Sequence, residues 1–133
     1  MNEASRDHLD RLPELAQPVS QFNLAAEIEH LRSEDSWQRE TGRSSRTLVK
    51  QPDFRIVLVA MKAGTEMKEH RAEGRISIQT ITGHLQLKLP TKTVGVPVGH
   101  LLALDRGVVH DVEALVESFF LLTICWSEGV ATD

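Results

Sequence analysis

From Arg46 to Trp126 the chain is a succession of short apolar segments cut by Gly and Pro, and that rhythm limits the fold more than any other feature. Phe54–Met61 (FRIVLVAM) is rich in branched residues and apolar on both faces, which suits a strand covered on both sides. Ile76–Ile81 (ISIQTI) and Leu85–Leu89 (LQLKL) alternate with period two and are joined through Thr82-Gly83-His84, a hairpin signal. Thr91–Val96 ends at Pro97; Leu101–Leu104, Val108–Leu115 and Ser118–Trp126 follow, separated by Asp105-Arg106-Gly107 and a Val116-Glu117 break. About eight short strands at this spacing, with almost no helix between them, predict an all-β sandwich or barrel.

The first 45 residues have a different style, polar, charged and helix-flavoured, so the chain divides into an N-terminal extension, residues 1–45, and a barrel domain, residues 46–133. Leu9, Leu12 and Leu15 sit three apart before Pro18, a spacing that fits a helical turn as well as a mobile tail. Asn23 offers an N-cap to LAAEIEHLRSE, in which Leu24, Ile28 and Leu31 form one apolar stripe that must dock on something. The segment SEDSWQRETGRSSR reads as a loop anchored by Trp37.

Composition narrows the function classes. A net charge of −4, no basic run with interleaved aromatics and no Tyr argue against a nucleic-acid partner. The single cysteine, Cys125, excludes an intramolecular disulfide and a Cys-rich metal site; its apolar setting predicts a small buried hydrophobe. Ile56–Met61 and Phe119–Cys125 are too short to cross a bilayer, which takes about 20 residues as a helix. MNEASRDHLDRLPELAQ lacks the apolar stretch of a signal peptide, so the expected location is the cytoplasm, with no membrane partner.

Glycines and histidines recur at two spacings in the strand region. Gly64 is followed by TEMKE and His70, and Gly83 closes that segment; Gly99 is followed by HLLAL, Asp105, Arg106, Gly107, two valines and His110. This pattern resembles the two motifs of the cupin superfamily, over roughly Arg46 to Trp126. The resemblance implies a double-stranded β-helix, or jelly-roll barrel, with a short N-terminal helical segment. It also implies that His70 and His110 converge inside the barrel. The motif's other ligand positions are altered: Ala72 stands for the second His and Ile76 for the Glu, while Asp105 replaces the Pro and Ala114 the Asn of the second motif.

Two imidazoles without an anionic oxygen leave a divalent ion short of ligands, so no resident cofactor is expected. Glu66 and Glu73 lie near His70, and parity along an extended strand would place Glu66 on its side. Counting by twos from the two histidines gives an inner face of Ala72, Ile76, Ile78, Thr80, Val112 and Ala114, mostly hydrocarbon. An apolar cavity with two convergent polar groups has the general form of a small-molecule site. Binding residues are accordingly expected at His70, His110, Ala72, Ile76, Ile78 and Val112, in a protein that binds a small, largely apolar molecule or serves as a structural or regulatory module, without turnover. The alternative is a metal-dependent, dioxygenase- or isomerase-like enzyme in which His70, His110 and a third ligand hold Zn, Fe, Mn or Ni. A metal-free isomerase with a His base lacks an identifiable acid.

The remaining polar residues read as ordinary surface. His84 and His100 follow turn glycines, His8 and His30 lie in the helical part, and Asp111 alternates away from His110. Arg71 and Arg75 flank Glu73 in a charged loop that could meet an anion but is more commonly just solvated. Exposed barrel edges favour a homodimer.

Overall fold

The computed structural model describes residues 17–38, 42–70 and 73–126, with His70 at the level of its backbone. Leu9, Leu12, Leu15, His8, Arg71 and Ala72 lie outside the described residues. Among the described residues two helices, α1 (Leu24–Arg32) and α2 (Asp35–Gln38), precede nine strands: β1 (Arg43–Gln51), β2 (Phe54–Met61), β3 (Glu66–His70), β4 (Arg75–Thr82), β5 (His84–Lys88), β6 (Thr93–Pro97), β7 (Leu101–Leu104), β8 (His110–Ala114) and β9 (Ser118–Cys125). They form a five-stranded sheet in the order β1-β2-β9-β4-β7 and a four-stranded sheet in the order β3-β8-β5-β6. Every pairing is antiparallel. The all-β barrel expected from the strand rhythm is the fold observed.

Alternation along β2 builds two cores at once. Val57, Val59 and Met61 face the four-stranded sheet, where they pack with Ile78, Leu85, Leu87, Val96 and Phe120. Ile56, Leu58 and Ala60 face the other way, onto Ile28, Leu31, Trp37, Leu48 and Phe119. The apolar stripe of α1 therefore docks on the outer face of the five-stranded sheet. Full burial of each such side chain is worth about 1.5–3 kcal/mol, enough to hold a nine-residue helix that would not persist alone.

Local chemistry fixes the helix. The Asn23 side chain accepts the Ala26 N–H at 3.1 Å, and Glu27 accepts from Arg46 Nε at 2.7 Å, tying α1 to β1. Trp37 lies buried against Phe119 at 5.6 Å between ring centroids, as the anchor expected of it.

Two strands depart from the sequence reading. β1 begins at Arg43, ahead of the division at residue 45, in a stretch read as loop. Its register slips between Thr47 and Val49, so the polar–apolar alternation that would mark it as a strand is broken. β3 carries a similar irregularity between Met67 and His70. The motif glycines Gly64, Gly83, Gly99 and Gly107 all have positive φ. At Gly83 the constraint is double: φ is +93°, and a Cβ there would collide with Ser118 and the Glu117 carbonyl.

Candidate functional site

The path of the chain sorts the residues into two barrel ends. β2 runs from Phe54 to Met61, β3 returns to His70, and β4 starts again at Arg75 beside Cys125. His70, Arg75, Phe54–Arg55 and Cys125–Trp126 therefore share one end. The register sets His70 opposite His110 across the β3–β8 ladder, so the backbones of the two motif histidines meet at this mouth.

His110 opens β8 and is 5 % exposed. Its Nδ1 lies 3.0 Å from the Val108 carbonyl; in the neutral ring that nitrogen donates and the lone pair sits on Nε2. Around it the inner face is hydrocarbon. Ile76, Ile78, Val112 and Ala114 are all buried in the inter-sheet core, with Leu104 and Ile124 packed against it. Thr80, the polar member of the series, donates from Oγ1 to the Val96 carbonyl at 2.7 Å, a bond from one sheet to the other.

The described residues do not supply the full ligand set for the divalent ion that the two motifs imply. Ile76, at the position of the motif carboxylate, is 5 % exposed and packs as core. Glu66 does not replace it. Glu66 stands opposite Glu113, one step out of phase with the core-facing Met67–Val112 pair, and meets Lys88 at 3.3 Å. The irregularity in β3 adds a residue before His70, so simple parity fails there. Among the described residues no three His, Cys, Asp or Glu side chains gather as a ligand set.

Other expectations change more simply. Cys125 is exposed, not buried: it ends β9 on the face opposite Ile124, beyond the cover of α1. His84 opens β5 half-buried, with its Nε2 over Gly95, whereas His100 is exposed as expected. His30 meets Glu34 at 3.5 Å. Arg75 is engaged by Asp105 at 3.1 Å. The Asp105 carboxyl is held below the usual carboxylate range, first by the Arg106 N–H at 2.8 Å and then by Arg75.

Arg55 and Trp126 were passed over in the sequence, and both belong to this end. Arg55 precedes Val57 by two residues and pairs with Ile124, both inner-face residues, so it stands on the inner side at the mouth. Its guanidinium carbon is 5.0 Å from the centroid of the Trp126 ring. Among the described residues Arg55 Nε and Trp126 Nε1 are buried without a hydrogen-bond partner. The available signal was one cation inside an otherwise apolar strand, on the parity of Val57 and Val59. A separate depression of about 350 Å³, lined by Phe22, Val49, Phe54 and Ile56 among others, lies on the outer side of the β1–β2 hairpin, away from His110.

No protein-family model matches the sequence, and no curated protein does. Solved structures do. A conserved protein of unknown function from Streptococcus pyogenes superposes with a TM-score of 0.64 at 24% identity, over 85% of this chain and 100% of that one. A cupin superfamily protein from Desulfitobacterium hafniense gives 0.68 at 15% identity, over 84% and 95%. The salicylate 1,2-dioxygenase of Pseudoaminobacter salicylatoxidans, in adducts with gentisate, gives 0.72 at 14% identity, over 84% of this chain and 34% of the enzyme. At such identities the likeness concerns the fold. Among the described residues no helix is long and apolar enough to cross a membrane.

Proposed function

We propose, on the premise that this chain has the cupin fold, that it is a binding module for a small, largely apolar molecule, taken up at the barrel mouth beside His110. The observation that carries the reading is Ile76. A buried branched hydrocarbon occupies the place where a metal-holding cupin would present a carboxylate, and it is packed with Ile78 and Val112. Such a wall gains free energy by excluding water from an apolar guest, at roughly 25 cal/mol per Å² covered. His110 supplies an oriented polar group among hydrocarbon, the usual arrangement for fixing a ligand's pose.

The likeness to a dioxygenase and the His70–His110 register favour a second reading, a metal-dependent enzyme with a further ligand. Metal content of protein purified without chelator separates the two. The binding-module reading predicts a substoichiometric ion content that is unchanged by His110→Ala. A stoichiometric ion lost on that substitution overturns it. Binding itself is read by titrating the isotope-labelled chain with benzyl alcohol, a neutral apolar probe. Amide shifts should concentrate at Ile76, His110 and Val112, and a response scattered over the outer face contradicts the proposed location. The companion double variant Ala72→His with Ile76→Glu should gain zinc affinity that the parent lacks.

A further inference from the structure

We propose that the ligand of the His110 mouth is a small organic acid, an apolar body whose carboxylate is received by Arg55 beside the indole N–H of Trp126. The inference rests on the binding reading above and adds the chemical class of the guest.

Two donors at one barrel end lack acceptors. Arg55 Nε and Trp126 Nε1 are both buried without a hydrogen-bond partner, and the two side chains stack at 5.0 Å. A buried donor left unsatisfied costs free energy. Folded proteins rarely keep such groups without a use for them. The other cations nearby do not explain the arrangement. Arg75, on the outer face, already meets Asp105, while Lys50 stands opposite Arg55 across the β1–β2 ladder and adds positive charge to the same corner.

The donor set selects the partner. A guanidinium is a permanent cation with a planar fork of N–H groups, and an indole only donates, so the guest must be acceptor-rich and anionic. A planar carboxylate meets the fork with two parallel bonds and brings one negative charge to one guanidinium. A phosphate ester would bring a second charge, whereas only one of the two unsatisfied donors is cationic. The hydrocarbon of Ile76, Ile124 and Leu104 then faces the body of the acid, whose head is held at the rim.

Calorimetric titration of the full chain with benzoate, benzamide and phenyl phosphate tests this, with Arg55→Gln as the comparison. Benzoate should bind at least about tenfold more tightly than benzamide, the worth of one charge-assisted fork, and more tightly than phenyl phosphate. Arg55→Gln should erase the preference for benzoate and leave benzamide binding in place. Equal binding of benzoate and benzamide overturns the carboxylate assignment while the apolar mouth stands. Tighter phenyl phosphate overturns the carboxylate in favour of phosphate. If none of the three binds, the mouth itself is misassigned and this inference falls with it. The benzoate–benzamide comparison on the unaltered chain decides the matter even if Arg55→Gln fails to fold.

Discussion

The two ends of the barrel differ in how their polar atoms are used. At the end where β2 finishes and β9 begins, the polar groups are spent on structure. Ser118 Oγ accepts the His84 N–H at 3.0 Å and donates to the Val116 carbonyl at 2.8 Å. In the loop between β2 and β3 the Gly64 N–H donates to the Ala114 carbonyl and Thr65 accepts the Ala114 N–H, while Arg32 reaches Glu117 at 2.9 Å. At the opposite end, Arg55 and Trp126 hold buried donors with nothing to meet them. One end is thus closed by satisfied polar groups, while the other keeps two buried donors unsatisfied. The folding chain can tolerate that deficit because the rest of both cores is dense and apolar.

This contrast makes opposed predictions for the two ends. The largest effect belongs to the closed side. Phe119→Ala removes a fully buried ring that touches Trp37 and lies under Arg32 at 5.0 Å, and should lower unfolding free energy in urea by about 3–5 kcal/mol while benzoate affinity holds. Ser118→Ala strands the His84 N–H and should cost about 1–3 kcal/mol by the same measurement, again without loss of binding. A fall in affinity matching either loss of stability would break the separation of the ends.

At the open end the sign reverses. Arg55→Met removes a buried Nε–H that lacks an acceptor and keeps the stem, so stability should rise by up to about 2 kcal/mol, or hold, while the preference for a carboxylate disappears. Clear destabilisation would mean that Arg55 is structural. The smallest effect is at the exposed Arg75–Asp105 pair on the rim. Its carboxyl is depressed in the fold, so any stabilisation is present above the ordinary carboxylate range and is lost as pH falls through the lowered value. Asp105→Asn should therefore lower the neutral-pH midpoint slightly, leave the acid end unchanged, and so flatten the acid limb of a pH–stability profile by that same small amount.

The two ends were also unequally legible in the sequence. The apolar stripe of Leu24, Ile28 and Leu31 after Asn23 specified a docking helix, and the double-sided apolarity of Phe54–Met61 specified a strand between two cores. Both patterns follow from fixed side-chain periods, which the residues obey. β1 stayed hidden because its edge position admits Arg43, Arg46 and Lys50, and its shifted register breaks the period. Glu66 was assigned to the wrong face for the same kind of reason, an extra residue in β3. Cys125 was read from its apolar neighbours, yet burial at a strand end depends on what covers it, and α1 does not reach so far. The motif spacing points to His110 and Ile76. It does not point to Arg55 and Trp126, because an unsatisfied donor is defined by the absence of acceptors in space, which no spacing along a chain records.

The chain's two tryptophans report on the two sides separately, Trp37 beneath the helix and Trp126 at the mouth. The most direct measurement is therefore the pair of indole N–H resonances, assigned through Trp37→Phe, followed while benzoate is added. The Trp126 signal should move downfield and saturate as its proton gains an acceptor, with the Trp37 signal still. A Trp126 resonance that stays fixed while benzoate binds, or that moves no more than that of Trp37, would contradict the claim that the unsatisfied end receives the ligand.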